Sequence, residues 1–584
     1  MAKALKIGAM VIGGAALLAT GVGAVAFGGL AGSLAIAGVS TQALFLASAG
    51  MSIASSLLQK TKVPESQTAR LSATIDPRAF RTTVLGQTAM ATDVRYEEWH
   101  GSKQDYCSWI IALASHTIDG VEEIWLNDEL AWSATTGVTN KFAGYLTVPR
   151  IVLEGTPDVS YTFGAGQWNG AHRLTGCAWM HLQFKVTGNG KKAESPFSGG
   201  PPGRITIIGR GAKLYDPRRD STVPGGSGPM RADDQSTWRY RTDDGAVIGE
   251  NLPLQILRVL LGWRITNPVT GAQKLAVGMG LPRKRLGLPS FMVAANHADE
   301  LVARMAGGGT EPRYHGAGVL SEGSTGKEML DTLCAGCCGR LSDVGGKLDL
   351  LLAHDDLASA ATDDGLFDDD VIGSFTWNPD PALDATPNVV RGKFTDPTPA
   401  ALYQMVDYPE VAVPSTDGID RVLPLDLGVV ESPRQAQQIA NQTLQRRQRA
   451  RTFSALFDIR AWCWPVGKVV PFTFGALGFE RKIFRVAEQD YAEGGACQMT
   501  LTVEDAAIYA PVVDRPAVVG GVYYGFNPAL DPLAQAIEGT ASQAAVDDQS
   551  ALIEQQRALI EQQQQTLGDY GERLRRLESN QQEP

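Results

Sequence analysis

Charge is missing from one long stretch of this sequence: no Asp, Glu, Lys or Arg occurs between Lys6 and Lys60, leaving residues 7–59, a run of 53, uncharged. Catalytic signatures are missing as well. The seven histidines (100, 116, 172, 181, 297, 315, 354) include no HExxH, and there is no GxSxG, Walker A loop or dinucleotide-type glycine turn between a strand and a helix. Paired carboxylates for sugar hydrolysis would meet in space rather than along the chain, so spacing does not test them. Cysteine is sparse and odd in number, seven scattered at 107, 177, 334, 337, 338, 463 and 497, which excludes a disulfide scaffold and suits folding in a reducing cytosol. Cations are outnumbered: Lys+Arg 52 against Asp+Glu 63 gives a net charge of −11, which argues against a nucleic-acid clamp but is compatible with DNA passing through a repulsive channel.

What is present is length, glycine and alternation. At 584 residues the chain exceeds a single hydrophobic core, so three or more domains are expected. The uncharged run is long enough for two membrane spans of about 20 residues each. Its many glycines (13, 14, 21, 23, 28, 29, 32) allow helices to approach closely. Three readings stand side by side: a signal peptide using Lys3 and Lys6 with cleavage after Ala24-Val25-Ala26, a permanent anchor, or an apolar helical segment buried against copies of itself or a partner. A signal peptide fits least, because the apolar run continues well past that site.

From about residue 66 short alternating segments separated by Gly, Pro, Asn and Asp predict β domains. Leu182, Phe184 and Val186 form one half-buried strand, Phe453, Ala455, Phe457 and Ile459 a second, and Met499, Leu501 and Val503 a third. The stretches 187–204 and 216–236 read as loops or domain joints. Helical spacing appears in four places. Asn251 caps a helix with Leu254, Ile256, Leu257, Leu260 and Leu261, ended by Gly262; a second runs from Ser290 through Ala294, Ala295, Leu301 and Val302 to Gly307-Gly308-Gly309. A third starts near Ser324 with Leu330, Leu333, Cys334 and Cys337 on one face. The fourth opens with Ser432 and Pro433, carries Ala436, Ile439, Ala440 and Thr443, and ends in Arg446, Arg447, Arg449 and Arg451.

The sequence repeats itself once: Ala551–Arg557 and Ala558–Gln564 are two copies of ALIEQQ-x. This is a coiled-coil period. Val546, Ile553, Ile560, Leu567 and Leu574 take the a positions, and Gln549, Gln556, Gln563, Tyr570 and Leu577 the d positions, with Leu552 and Leu559 widening the seam. The candidate trimerisation residues are therefore Val546, Ile553, Gln556, Ile560, Gln563, Leu567, Tyr570, Leu574 and Leu577. The rival reading is one amphipathic helix docked on its own domain.

Cys334-Ala-Gly-Cys337-Cys338 has CxxC spacing, but no second ligand pair or thioredoxin-like context lies nearby, so packed core is the expected role. Asp355, Asp356, Asp363, Asp364, Asp368, Asp369 and Asp370 lack the spacing of a calcium loop and read as solvated. No catalytic residue, metal ligand or cofactor site is assigned, and no enzymatic activity is expected.

One region does carry an ordered pattern. Glu250–Ile265 (ENLPLQILRVLLGWRI), Ser290–Val302 (SFMVAANHADELV) and Thr310–Asp356 (TEPRYHGAGVLSEGSTGKEMLDTLCAGCCGRLSDVGGKLDLLLAHDD) follow one another as helix, helix, strand, closing helix and "GKLDL" strand. This order resembles the central domain of the tip attachment protein J family, the central hub proteins of long non-contractile phage tails. Asn388–Pro397 (NVVRGKFTDP) looks like that family's next strand. Residues 432–510, with Pro465-Val-Gly-Lys468 and Glu504-Asp505, look like its last hub domain.

The resemblance spans about residues 66–510 and implies a multidomain, mainly β protein with an α+β part. The implied segments are a first β-barrel-like tube domain (66–115 plus 200–236), a β domain inserted at 116–199, an α+β domain (237–385) and a second tube domain (386–510); composition and the heptad add an apolar helical N-terminal segment (1–65), a linker (511–545) and a coiled coil (546–580). It also implies a structural virion protein assembled in the host cytoplasm as a homotrimer, at the distal tip of a tail. The implied partners are the distal tail protein and other tip proteins, the tape measure protein, a tail fibre or receptor-binding protein, and phage DNA in transit. The chain ends at Pro584 without fibronectin-like modules, which separates it from the long members of the family. The alternative is a membrane-active tip protein whose residues 7–59 contact the host membrane and open a path for DNA. A cell-wall hydrolase of the tail tip is a third class, without sequence support.

Overall fold

The computed structural model describes residues 79–523 apart from 156–159, 187–194, 268, 305–307, 363, 381–385, 416, 513–514, 516–517 and 520–521. The N-terminal segment expected at 1–65, most of the linker at 511–545 and the coiled coil expected at 546–580 lie outside these residues. The described part is mainly β, with five α-helices among the described residues.

Two sheets are built from residues 87–212. Four strands lie in the order Asp93–His100, Tyr106–Ala114, Ala178–Lys185, Leu146–Val152; five more lie in the order Gln87–Ala89, Ile205–Ala212, Ile118–Leu126, Glu129–Ser133, Gly137–Val138. Cys107, Trp109, Ile111 and Leu113, alternate residues of one strand, pack with Ile124, Leu126, Ile205 and Ile207 of the other sheet. Ile110 points to the opposite face, where Trp168, Trp179 and Val152 cover it. Burial on both faces explains why this strand reads as a continuous apolar run instead of alternating.

The chain passes from one sheet to the other at Ser115–Thr117. There His116 is fully buried: its Nε2 accepts from the Val84 amide at 2.9 Å, so Nδ1 carries the proton and donates to Thr117 O at 2.7 Å.

Strand pairing runs across the limits expected for the insertion at 116–199. Strand Ile118–Leu126 pairs with Ile205–Ala212, and Ala178–Lys185 pairs with Tyr106–Ala114, so residues on both sides of the expected boundaries share sheets and one core. In addition, Thr82–Leu85 pairs with Gly318–Ser321, tying this part directly to the helical block.

In that block, helix α1 (Leu252–Leu261) is capped by Asn251, whose Oδ1 accepts from Leu254 N at 3.1 Å, and is stopped by Gly262 at φ 73°. A side chain at Gly262 would meet Leu275 and the Gly280 backbone, so glycine serves both the left-handed turn and the close approach. Arg258 of α1 is buried with its guanidinium 5.4 Å from the Trp238 ring and 4.9 Å from the Trp263 ring.

Helix α2 covers Leu288–Asp299, shorter than expected. Leu301 and Val302 belong to a strand, Leu301–Ala303, which pairs with Thr310–Pro312. Hairpin pairing there overrides the helical spacing. Helix α3 (Gly326–Ala335) is capped by Thr325 in a reciprocal box with Glu328, one residue past the expected Ser324. The hairpin Gly339–Val344 with Lys347–Leu352 follows, and then the short helix α4 (Leu357–Thr362).

The last sheet runs Val371–Asn378, Thr452–Phe457, Cys497–Val503, Phe479–Tyr491, Val469–Phe474, around a core rich in phenylalanine (453, 457, 472, 484). Strand Val371–Asn378 pairs with Thr452–Phe457, so this sheet crosses the boundary expected at 385/386. The expected strand through Ile459 stops at Phe457; Ile459 opens a 3-10 turn with 71% exposure.

Helix α5 (Pro433–Gln448) is capped by Ser432, as its sequence predicts. Its surroundings were not predicted: Arg434, Gln435, Gln437, Gln438, Asn441 and Gln442 are buried along with Ala436, Ile439 and Ala440. The glutamines replace an apolar face by amide pairing with backbone. Gln435 donates to Gly336 O at 2.9 Å, and Gln437 donates to Arg515 O at 2.8 Å while accepting from Arg515 N at 3.1 Å. Gln438 exchanges the same kind of bonds with Ala510 O and Val512 N. Satisfied amides of this kind specify one position for each chain segment they bind.

Candidate functional site

The end of α2 and the chain leaving the Lys347–Leu352 strand converge on one point. His297 occupies the last turn of α2, Glu300 follows that helix, and His354 lies two residues past the strand. The His297 and His354 rings stack with centroids 3.6 Å apart. Both face the same carboxylate oxygen: His297 Nδ1 is 2.9 Å and His354 Nε2 3.4 Å from Glu300 Oε1. The other oxygen, Oε2, accepts from Arg313 Nε at 2.9 Å and Nη2 at 2.8 Å, which fixes the plane of the carboxylate. Asp356 Oδ1 lies 3.0 Å from His354 Nδ1, and Arg485 donates to His354 O at 3.2 Å.

The electrostatics of the carboxylate follow from these partners. Burial alone would raise the Glu300 pKa, but hydrogen bonds from His297 and Arg313 and the charges of Arg313 and His354 outweigh it and hold it below the ordinary carboxylate value. All three side chains are half-buried, leaving one side open to water. Among the described residues, these are the group of His, Cys, Asp and Glu whose ligand atoms lie close enough, within 4.8 Å of one another, to share an ion.

The structure disperses the other candidates. Cys334, Cys337 and Cys338 sit at the end of α3, where the Cys337 thiol is buried against Leu333 O and Cys334 O at 3.6 Å each. Burial pushes the Cys334 and Cys338 thiols up to about 12 and Cys337 well above its ordinary value, which disfavours the thiolate. Cys334 and Cys338 line a cleft of about 480 Å³ with Arg340, Arg446, Arg447 and Arg485. Arg446 and Arg485 are themselves paired with Glu504, Arg485 at 2.8 Å.

Of the described aspartates read as solvated, Asp355, Asp364, Asp368 and Asp369 are exposed and Asp370 is buried, and most also bind protein groups. Asp364 and Asp370 both bind Arg460, Asp368 accepts from Gly475 N at 2.9 Å, Asp355 accepts from Leu357 N, and Asp356 serves His354; Asp363 lies outside the described residues. The nine trimerisation candidates, from Val546 to Leu577, also lie outside them.

The spacing of the histidines concealed the cluster, because His354 is far from His297 in sequence. Two local signals were present: His297 and Glu300 stand three apart at a helix end, and His354 precedes Asp356 by two.

No family model matches this chain, and no curated protein does. Among solved structures, it is similar to a chain from the virion of a native gene transfer agent particle, at 15% identity and TM-score 0.47, over 78% of this chain and 90% of the other. It is also similar to the 43 kDa tail protein of prophage MuSo2 from Shewanella oneidensis, at 11% identity and TM-score 0.24, over 74% of this chain and 95% of that one. TM-scores below 0.5 fall short of a shared fold. No described helix is long and apolar enough to cross a membrane.

Proposed function

We propose that this chain is a structural virion protein: the homotrimeric central hub that closes the distal end of a long non-contractile phage tail, carries fibres, and gates DNA ejection. The observation that supports it most is the order of elements from α1 to the hairpin at 339–352. Helix α1, helix α2, the strand Thr310–Pro312, capped helix α3 and the strand Lys347–Leu352 occur in the order that the resemblance to the tip attachment protein J family implies, with further short strands between them. The buried glutamines of α5 also suit a scaffold, since they bind segments from Gly336 to Arg515 in one arrangement. In this reading the chain has no catalytic step. Its partners are two further copies of itself, the distal tail protein and other tip proteins, the tape measure protein and a fibre or receptor-binding protein. It is assembled in the host cytoplasm and resides at the tail tip.

Imaging of intact particles tests the proposal. Three copies at the tube end are expected; a location in the capsid, or a single copy, overturns it. The uncharged run 7–59 favours a second activity, insertion into the host envelope during infection. A peptide of residues 1–62 that leaves liposomes intact would remove that activity without touching the hub reading.

A further inference from the structure

We propose that His297, Glu300 and His354 form a binding site for one divalent transition-metal ion of the zinc class, with its remaining coordination completed by water. Two chain segments bring a nitrogen, an oxygen and a nitrogen within 4.8 Å of one another, the donor set of two imidazoles and one carboxylate that suits zinc, cobalt or nickel more than magnesium or calcium. The surrounding contacts are those that prepare such ligands. Asp356 Oδ1 lies 3.0 Å from His354 Nδ1, so in the neutral ring that donates its proton there the Nε2 lone pair would face Glu300 and the ion. A carboxylate behind a histidine is the usual outer partner of a metal-bound imidazole, where it fixes the tautomer and raises ligand basicity. Arg313 occupies Glu300 Oε2 and leaves Oε1 turned toward both rings.

The stacked rings would tilt slightly to bring both lone pairs onto one ion. Glu300 would exchange its hydrogen bond from His297 for the metal. Because His354 follows the hairpin whereas His297 and Glu300 end α2, the ion would clamp two elements that otherwise meet through side-chain hydrogen bonds. The charge of Arg313 opposes a cation, so binding moderate enough to be reversible is expected.

The full-length protein, stripped with a chelator and checked by circular dichroism, is titrated with Co²⁺ while its visible ligand-field absorption is recorded, and with Zn²⁺ by calorimetry. One equivalent is expected to bind, with loss of binding in H297A/H354A and a weakening of about 10- to 100-fold in D356N, whose ligands remain in place. C337S should bind as the wild type does. Binding by the wild type no tighter than by H297A/H354A overturns the site. So does a thiolate charge-transfer band that disappears in C337S, which would move the metal to the cysteines. Should H297A/H354A fail to fold, H354N and D356N decide between the same outcomes.

Discussion

Glu311 and Arg434, 123 residues apart in the sequence, meet as an ion pair with each side chain only 9% exposed. Glu311 also accepts from the capping hydroxyl of Ser432 at 2.8 Å, so a single carboxylate joins the strand Thr310–Pro312 to the first turn of α5. Removing Glu311 strands the Arg434 charge in a desolvated place, whereas without Arg434 the carboxylate keeps Arg304 at 3.4 Å. E311A is therefore expected to lower stability by about 3–5 kcal/mol and R434A by less, whereas the double change R434M/E311L should cost less than E311A. Chemical denaturation followed by tryptophan fluorescence measures all three, and equal losses in E311A and the double variant would contradict the account.

His116 makes stability depend on pH. Burial first, then the charge of Arg258, lowers its pKa to about 3, against a partial opposing effect of its bond to Thr117. The unfolded chain takes up the proton at about 6.5, so the contribution of the neutral ring is fully present above that pH and is lost as pH falls toward about 3. A loss of about 1.4 kcal/mol per pH unit is expected from this group within that window. H116N should be less stable at neutral pH and show a shallower acid slope than the wild type in parallel denaturation series.

The thiols should divide by reactivity. Cys463 is exposed, whereas Cys107 and Cys497 are buried, and burial raises the thiols of Cys177, Cys334, Cys337 and Cys338 above their ordinary value. Brief iodoacetamide treatment of the native protein is expected to place one adduct, at Cys463, with all seven cysteines reacting after denaturation. Rapid native labelling at Cys334, Cys337 or Cys338 in a peptide map would show an activated thiol there.

The heptad tail is expected to associate by itself. A peptide of residues 540–584 should sediment as a helical trimer, because Ile and Leu fill the a layers while Gln layers at d fix the register. I553D/I560D should yield a monomer with little helicity, each carboxylate being desolvated without a partner. A wild-type peptide that stays monomeric at high micromolar concentration would exclude this tail as the trimerising element.

Local chemistry determined much by itself. Asn251 and Gly262 bounded α1, and Ser432 with Pro433 opened α5, because a cap or a stop acts through groups within about four residues of each other. Alternation placed the strands at 182–186 and 499–503 for the same reason, since side-chain direction has a period of two. Partners were decided only by the tertiary structure. Ile118–Leu126 joins Ile205–Ala212 across the expected insertion, Leu301–Ala303 leaves a helical pattern to pair with Thr310–Pro312, and His354 is carried to His297 by the hairpin at 339–352. Strand pairing and ligand convergence depend on contacts whose register no local pattern carries, and the polar face of α5 becomes interior only because the backbone of distant segments supplies its hydrogen bonds.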